Sequence, residues 1–323
     1  MPANVGISLA VGDDGLLKNA PIYLRGADVI RRRDRDPVGG VSTVQSTPAA
    51  TEHAGEFDCA VVIPAAGCMC KQVEVVIPQL RDADCLVVVW NGPRATTHDC
   101  SETVLRDGTT VWMEFPARLG AATARNSGVQ WLNGRARLIA FVDSDDIAYD
   151  NWLSELRKRL SSGESDVVGG VLEFVSGGRA RRVAPDLDFW YRQAIYGSNC
   201  AVTREAWDLL SGFCPNVGTC EDTDLAWRAG EAGLRIDIIP TAVVRYSLRI
   251  GWAEWQQRVM WGRSSVALLR AHDLPLSRHL PKLKGLVLHK RSTGFASNAL
   301  VAGLGQFFGQ WVGKLRDGHP APM

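Results

Sequence analysis

Short runs of apolar residues recur between residues 57 and 146, with more polar segments between them. The runs are "CAVVIPAAG", "CLVVVWNGP", "TVWMEFP" and "RLIAFVDSDD", and each is almost continuously apolar until it reaches a turn. Such runs are typical of strands buried on both faces of a parallel sheet. "QVEVVIPQL" and "LGAATARNSGVQWLN" predict helices between them, although Pro78 disfavours a continuous helix in the first. The alternation predicts an α/β fold in which a mostly parallel sheet is flanked by helices.

The pattern continues beyond residue 146. "NWLSELRKRLSSG" predicts an amphipathic helix, "SDVVGGVLEFVSGG" a strand, and "SNCAVTREAWDLLSGF" a strand followed by a helix. "CEDTDLAWRAGEAGLRIDIIP" begins with an acidic turn and predicts a helix that runs to Gly233. Residues 251–290 are basic and rich in tryptophan, and we expect part of this segment to be helical.

These patterns predict a main domain with an extension at each end. Residues 1–55 form an N-terminal extension, with a short β element about Asp13-Asp14-Gly15 and then a linker rich in Ser, Thr, Pro and Ala. Residues 56–250 carry the alternating strands and helices. Residues 251–323 form a C-terminal helical region.

The C-terminal region contains its own amphipathic pattern. Residues 292–313, "STGFASNALVAGLGQFFGQWVG", are rich in Gly, Ser and Gln, which makes this stretch a poor membrane span. We interpret it as a helix packed on its own domain. The alternative is peripheral contact with a membrane surface, with Lys314 and Arg316 beside the apolar face. That face consists of Leu300, Leu304, Phe307, Phe308, Trp311 and Leu315.

Composition argues against several classes of protein. Lys and Arg number 36 against 35 Asp and Glu, so the chain lacks the basic surplus of a dedicated nucleic-acid-binding protein. The eight cysteines do not show the spacing of a zinc site, since one residue separates Cys68 from Cys70 and no His-x3-His follows. The first residues do not show the basic-then-apolar pattern of a secretory signal. We therefore expect reduced thiols and a cytoplasmic location.

Carboxylates follow the last of the apolar runs. Asp143, Asp145 and Asp146 come directly after "LIAFV". Like charges this close repel, and either a bound divalent cation or simple exposure on a turn would relieve the repulsion. In parallel sheets, ligands bind beyond the carboxyl ends of the strands, and Pro64–Ala66 and Asn91 end neighbouring strands. The acidic cluster is therefore expected at a ligand site.

A second acidic group opens the helix that follows "SGFCPNVGT". It consists of Glu221, Asp222 and Asp224. Acidic residues at a helix start usually cap the helix, which is the simpler interpretation. Together with the first group, however, they suit a metal-held diphosphate on one side and a general base on the other.

Motifs in a fixed order resemble the family-2 glycosyltransferases, which are inverting enzymes with the Rossmann-like GT-A fold. They are "VVIPAAG", "LGAATARNSG", "FVDSDD" and "SGFCPNVGTCEDTDLAWR", and the resemblance covers residues 57 to about 250. It implies transfer of a sugar from a nucleoside-diphosphate sugar to an acceptor hydroxyl, with Mg²⁺ or Mn²⁺ as cofactor. "WQQRVMW" has the letters of the Gln-x-x-Arg-Trp motif of processive members without its spacing, so we expect transfer of a single sugar. The resemblance does not identify the acceptor.

The resemblance also implies roles for individual residues. Asp145 would ligate the metal, and Asp143 would contact the nucleotide sugar, or the metal through water. Asp222 would be the general base that deprotonates the acceptor hydroxyl. Apart from the resemblance, we place Glu221 and Trp190 on the acceptor side, where Trp190 would stack on a sugar; packing of Trp190 in the core is the simpler interpretation. The other nucleotide-sugar-binding residues would be Pro64, Ala65, Ala66, Asn91, Gly120, Arg125 and Ser144.

The chain departs from the family pattern at two places. The loop after the second strand reads Trp90-Asn91-Gly92-Pro93, where family members usually have an Asp that reads the base, so a uridine nucleotide is not implied. Many members have a metal-binding His after the last strand, where this chain has Arg245. A guanidinium cannot ligate a metal, but it can hold phosphate oxygens through paired N–H donors. We therefore predict that Arg245 contacts the diphosphate; otherwise it only ends the strand, and a residue such as His272 completes the metal site.

Other functions fit parts of the sequence. A nucleotidyltransferase would need a Gly-rich basic loop after the first strand, and "PAAGCMCKQ" has a single Gly and a single Lys. A non-catalytic nucleotide-sugar-binding protein or partner subunit on a degenerate GT-A fold is the main alternative. The substituted Asp and His favour it, whereas the presence of Asp145 and Asp222 favours the enzyme.

Overall fold

The computed structural model describes residues 56–92, 104, 109–115, 117–176, 179–185, 193–249 and 251–274, and the backbone of short strands before residue 47. The strands are β1 (Leu24–Arg25), β2 (Asp28–Val29), β3 (Thr43–Ser46), β4 (Phe57–Ala65), β5 (Asp84–Asn91), β6 (Thr110–Phe115), β7 (Ala136–Val142), β8 (Ile147–Ala148), β9 (Val167–Ser176), β10 (Arg179–Val183), β11 (Asn199–Thr203) and β12 (Ile236–Tyr246). The α-helices are α1 (Cys70–Val76), α2 (Ala121–Leu132), α3 (Trp152–Ser161), α4 (Arg204–Leu210), α5 (Glu221–Glu231) and α6 (Trp252–Ala271), and 3-10 helices lie at Ile77–Gln79 and Pro215–Cys220.

One sheet contains all the described strands except β1 and β2, which pair with each other. Its order is β3-β6-β5-β4-β7-β11-β9-β12-β8, and β10 pairs with β9. Strands β6, β5, β4 and β7 run parallel, as do β9 and β12. The pairings made by β3, β8, β10 and β11 are antiparallel. The predicted α/β sheet is confirmed, and it is mixed because the later strands enter it in both directions.

The parallel strands are covered on both faces, as their continuous apolar runs predict. Val62, Val87 and Phe141 belong to the hydrophobic core on one face of the sheet. Their neighbours Val61 and Val88 belong to the core on the other face. All of these side chains are fully buried.

Helix α2 packs very closely on this sheet because it contains Gly128. A Cβ atom at residue 128 would lie 2.7 Å from Cγ1 of Val62 and 3.1 Å from Cγ2 of Val89. The helix can approach β4 and β5 this closely only where its residue has no side chain. The position of α2 matters for function because its first turns reach the ends of these strands.

The first predicted helix is shorter than its sequence pattern. Helix α1 ends at Val76, and Ile77–Gln79 form a 3-10 turn, because Pro78 has no N–H with which to continue the helix. The turn is bonded to the segment that follows β8 and to the start of α3. The Gln79 side chain donates to the carbonyl of Tyr149 and accepts from the amide of Leu153, both at 3.0 Å.

The chain divides into two compact units. The first comprises residues 1–213 and 225–247 and contains the whole sheet, and the second comprises residues 214–224 and 248–323. Within the second unit, the backbone amide of Thr219 donates to the Ser264 hydroxyl of α6 at 2.9 Å. The predicted helical character of the 251–290 segment holds for α6, which ends at Ala271. The predicted domain boundaries at residues 55 and 250 stay a prediction.

Several predictions concern the two ends of the chain. Strand β3, within the stretch interpreted as a linker, pairs with β6 at the edge of the sheet. The β element about Asp13-Asp14-Gly15 and the amphipathic helix near the C-terminus lie outside the described residues. Among the helices that the structure does describe, none has both the length and the apolar content to cross a membrane.

Candidate active site

The acidic cluster lies at the carboxyl-terminal edge of the parallel strands. Val62 of β4 pairs with Phe141 of β7, which puts Pro64 level with Asp143. On the other side of β4, Ala65 pairs with Trp90 of β5. The register therefore brings several predicted site residues to one edge of the sheet: Pro64, Ala65, Ala66, Asn91, Asp143 and Ser144. This is the edge at which sheets of this kind bind ligands.

Asn91 connects this edge to the start of α2. Its side chain is buried, and its Oδ1 accepts a hydrogen bond from the amide of Leu119 at 2.7 Å. The next residue, Gly120, has a φ of 89°, a value that favours glycine, and it directly precedes α2. Asn91 and Gly120 therefore shape the loop beside the strand ends.

Arg125 reaches the acidic cluster from α2. Its side chain is 2% exposed, and its Nη2 lies 2.5 Å from Oδ1 of Asp143. The guanidinium also lies over the Phe213 ring, with 5.3 Å between Cζ and the ring centroid. A buried guanidinium requires a compensating charge, and Asp143 supplies it. Two residues predicted at the nucleotide thus contact each other directly.

The cluster brings together carboxylates in different environments. One ligand atom from each of Asp143, Asp145 and Asp146 lies within 4.8 Å of the others. Asp145 is exposed, Asp143 is half-buried and Asp146 is buried. Burial, and after it the negative charge of Asp143, raises the pKa of the Asp146 carboxyl to about 8. The backbone amide of Ser247 and the nearby Ser198 hydroxyl act in the opposite direction.

Ser247 is a site residue that the sequence reasoning missed. Its amide donates to Oδ1 of Asp146 at 2.9 Å, and its hydroxyl donates to the backbone carbonyl of Asp145. The cause is the antiparallel pairing of β12 with β8, in which Arg245 lies opposite Ile147. Two residues further on, this register places Ser247 opposite Asp145. The two-residue strand β8 has no sequence pattern that would have predicted the pairing.

Arg245 lies in a cluster of charged and aromatic side chains. Its Nη2 donates to the Tyr149 hydroxyl at 3.2 Å, and its Nε lies 3.6 Å from Oε2 of Glu173. Arg182 lies 3.3 Å from the other oxygen of Glu173. The hydrogen bond from Tyr149, followed by the contacts with Arg182 and Arg245, lowers the pKa of the Glu173 carboxyl. About half of the Arg245 side chain, 53%, remains exposed.

The second acidic group lies in the first turn of α5. Asp222 is half-buried, and its Oδ1 accepts a hydrogen bond from the amide of Thr223 at 2.6 Å. Glu221 is buried. Asp224 is buried as well, and its Oδ1 lies 3.0 Å from Nε2 of His272. Trp190, predicted on the acceptor side, lies outside the described residues.

Known proteins share both the sequence pattern and the fold. Residues 62–214 match the family model described as glycosyl transferase family 2. The chain is 26% identical over 218 residues to the pre-mycofactocin glycosyltransferase of Mycobacterium tuberculosis, in strains CDC 1551 / Oshkosh and H37Rv. This alignment covers 63% of the chain and 43% of the relative, so the chain spans less than half the length of the curated relatives it matches.

Solved structures confirm the predicted fold. The mannosyltransferase PcManGT from Pyrobaculum calidifontis, solved in complex with GDP-Man and Mn²⁺, superposes with a TM-score of 0.53 at 17% identity. The superposition covers 82% of this chain and 85% of that one. TarS from S. aureus superposes with a TM-score of 0.52 at 14% identity, over 67% of this chain and 39% of that one. Residues 62–214 thus match the glycosyl transferase family 2 model, and the solved structures share the predicted GT-A fold.

Proposed function

We propose that the protein transfers a single sugar from a nucleoside-diphosphate sugar to an acceptor hydroxyl, with inversion at the anomeric carbon. The observation that carries the proposal is the acidic cluster after β7, beside the ends of β4 and β5, within a family 2 glycosyltransferase domain. Nucleotides bind at this edge in doubly wound sheets. The GDP-Man and Mn²⁺ bound to PcManGT represent the class of donor and cation that we propose here.

The donor nucleotide is proposed to bind along the strand ends and the loop before α2. Arg125 would act by holding Asp143 in place, because its guanidinium is buried against that carboxylate. Arg245 would contact the diphosphate, since half of its side chain is accessible while Glu173 and Tyr149 fix its orientation. The other residues proposed to line the donor site are Pro64, Ala65, Ala66, Asn91, Gly120, Asp143 and Ser144.

The acidic cluster fits a Mg²⁺ or Mn²⁺ ion. Carboxylate oxygens suit these ions, and oxygens of Asp143, Asp145 and Asp146 lie within 4.8 Å of one another. Oδ2 of Asp146 is buried and has no hydrogen-bond partner among the described residues, and a nearby cation would compensate its negative charge. Asp145, with Asp143, is proposed to hold the ion. When bound, the ion would stabilise the negative charge that develops on the departing diphosphate.

Asp222 is proposed as the general base. Its carboxylate would accept the proton of the acceptor hydroxyl while that oxygen attacks the anomeric carbon from the face opposite the diphosphate. The new glycosidic bond forms as the bond to the diphosphate breaks, and the nucleoside diphosphate leaves with the bonding electrons. Glu221 and Trp190 are proposed on the acceptor side.

Two measurements test the proposal. We expect GDP or UDP to raise the melting temperature of the protein in the presence of Mn²⁺. When EDTA replaces Mn²⁺, the same nucleotide should raise the melting temperature less. Mass spectrometry after incubation with pooled nucleotide sugars and cell extract should then show a product heavier by a single sugar. Stabilisation without any product would instead support the non-catalytic nucleotide-sugar-binding protein.

The cellular setting is a separate proposal. We propose a cytoplasmic enzyme whose C-terminal helix packs on its own domain. Deletion of residues 292–323 should then lower the melting temperature. An unchanged melting temperature, with loss of sedimentation on anionic vesicles, would support peripheral membrane contact instead.

A further inference from the structure

The segment that follows β4 carries two thiols close together. Met69 alone separates Cys68 from Cys70 in the sequence, and the Sγ atoms of the two cysteines lie 3.7 Å apart. Their Cα atoms cannot be more than about 7 Å apart, because only two peptide units join them, and this separation is within reach of a disulfide. The sulfurs need to approach by only about 1.7 Å to form an S–S bond of about 2.05 Å.

The other described cysteines are less reactive towards oxidants. Burial raises the pKa of the Cys59 and Cys85 thiols to about 12, and it raises the pKa of the Cys220 thiol well above its usual range. Cys200 is buried as well. Because the thiolate is the form that attacks an oxidant, these thiols react slowly at neutral pH. Cys68, in contrast, is exposed.

The fold holds the two thiols of the pair with different firmness. Cys70 is the first residue of α1, and Val73 of this helix is buried in the core. The Met69 side chain is 1% exposed, and its carbonyl accepts a hydrogen bond from the amide of Val73 at 3.0 Å. Cys68 instead ends an exposed stretch, residues 66–68. Closure of a disulfide would therefore move Cys68 and this stretch, and not α1.

The exposed stretch belongs to the edge of the sheet at which the donor is proposed to bind. Ala66 directly follows Ala65, which pairs with Trp90 of β5 at the ends of the parallel strands. A Cβ built on Gly67 would meet no atom within 4 Å, so the backbone there can shift without a clash. Misplacement of groups at a site by about 1 Å can cost about a hundredfold in rate. A shift of Cys68 would thus be felt by the donor.

We propose that Cys68 and Cys70 form a redox-sensitive dithiol, and that its oxidation to a disulfide weakens binding of the nucleoside-diphosphate donor. The disulfide stands on the geometry of the thiol pair, whereas its effect on the donor rests on the proposed function. Disulfides that are exposed or strained are readily reduced again, which suits a reversible switch rather than a structural bridge.

Glutathione disulfide is the oxidant in this proposal. The Cys68 thiolate attacks one of its sulfurs and releases one glutathione thiolate, which leaves a mixed disulfide on Cys68. The Cys70 thiolate then attacks the Cys68 sulfur and releases the second glutathione. The protein loses two protons and two electrons, and glutathione disulfide gains them as it becomes two glutathione thiols.

The first measurement follows the state of the thiols in the full chain. The protein is equilibrated in glutathione buffers of increasing oxidised-to-reduced ratio, and the remaining thiols are then blocked with iodoacetamide. The peptide that contains residues 68–70 should escape alkylation at both cysteines and be lighter by two hydrogen atoms, and dithiothreitol should reverse this change. Alkylation of the peptide at every ratio, or a stable glutathione adduct on Cys68, would overturn the inference.

The second measurement compares donor-site affinity in the two redox states. Calorimetry is carried out with Mn²⁺ and whichever of GDP and UDP stabilises the wild type. We expect the oxidised wild type to bind the nucleotide at least about fivefold more weakly than the reduced wild type. Cys68→Ser and Cys70→Ser should bind it equally well in both buffers. The matched control Cys214→Ser, at a half-buried cysteine, should respond to oxidation as the wild type does.

Linkage provides an independent check of the coupling. If oxidation weakens nucleotide binding, saturating nucleotide must disfavour oxidation of the pair by the same factor. The oxidised-to-reduced glutathione ratio at which half of the pair is oxidised should therefore rise when Mn²⁺ and nucleotide are present. Oxidative damage elsewhere in the protein would produce no such reciprocal shift.

The outcomes separate this inference from the proposed function. A disulfide that forms without any change in nucleotide affinity, or a redox response that persists in Cys68→Ser and Cys70→Ser, would overturn the inference while the proposed function stands. If the reduced protein binds neither nucleotide, the proposed function and the effect on the donor fail together. The peptide masses still decide in that case whether the disulfide forms.

Discussion

The guanidinium of Arg125 and the carboxylate of Asp143 form an ion pair that links helix α2 to the end of β7, with 2.5 Å between Nη2 and Oδ1. Arg125 is buried, whereas Asp143 is 30% exposed, so removal of the arginine leaves a carboxylate that water can partly solvate. We therefore expect Arg125→Met, which keeps most of the volume, to lower the free energy of unfolding by about 2 kcal/mol. Urea denaturation checks this value.

The double variant provides the control for this ion pair. If the cost of Arg125→Met comes from the lost pairing, the same substitution should cost much less in an Asp143→Asn background. Equal costs in the two backgrounds would show that Arg125 acts through packing on Phe213 alone.

The close approach of α2 to the sheet gives a second prediction. Gly128→Ala would place a Cβ 2.7 Å from Cγ1 of Val62, so we expect a loss of about 1–3 kcal/mol in unfolding free energy. Gly230 of α5 is the matched control, because nothing lies within 4 Å of a Cβ built there. Gly230→Ala should stabilise the protein by about 1 kcal/mol through helix propensity. A neutral Gly128→Ala would mean that α2 can move away from β4 freely.

Features that depend on local sequence were predictable, and features that depend on register were not. The apolar runs around Val62, Val88 and Ile139 identify the parallel strands, because both faces of each strand are buried. The acidic cluster follows from the same argument, since the end of a parallel strand defines where its next residues lie. Pro78 likewise weakened the prediction of a continuous helix, and α1 ends at Val76, two residues before it.

The surroundings of Arg245 and Asp146 could not be predicted in this way. Arg245 contacts Glu173 because β12 pairs with β9 in a parallel register that contains an irregularity between Ile239 and Val243. A shift of one residue in that register would turn Arg245 to the other face. Asp146 gained Ser247 as a partner through β8, a strand of two residues. Neither pairing leaves a periodic pattern in the sequence.

Asp166 gives a prediction about acid stability. The guanidinium of Arg235 binds both of its oxygens at 3.1 Å, and these hydrogen bonds lower the pKa of the Asp166 carboxyl. Because the folded-state pKa lies below the unfolded value of about 3.9, the stabilisation is complete above that pH and is lost as the pH falls through the folded-state pKa. Asp166→Asn should therefore cost about 1 kcal/mol at pH 7 and almost nothing once the pH lies below the folded-state pKa of Asp166.

Denaturation at a series of pH values checks this dependence. The control is Asp150→Asn, at an exposed residue. Its free energy of unfolding should not approach that of the wild type as the pH falls. A cost of Asp166→Asn that stays constant down to the acid range would mean that the hydrogen bonds, and not the charge, carry the stabilisation.

Asp222 provides the most direct test of the chemistry. Asp222→Asn keeps the size of the side chain and a carbonyl oxygen that can accept from the amide of Thr223, so we expect the fold and donor binding to persist. The amide cannot accept the acceptor's proton, and transfer should fall at least about a hundredfold. Asp224→Asn is the matched control, because Asp224 is buried against His272 and should affect the melting temperature more than the rate. Rates from mass spectrometry, with calorimetry of nucleoside diphosphate binding, separate the two effects. Retention of more than about a tenth of the wild-type rate by Asp222→Asn would exclude this carboxylate as the base.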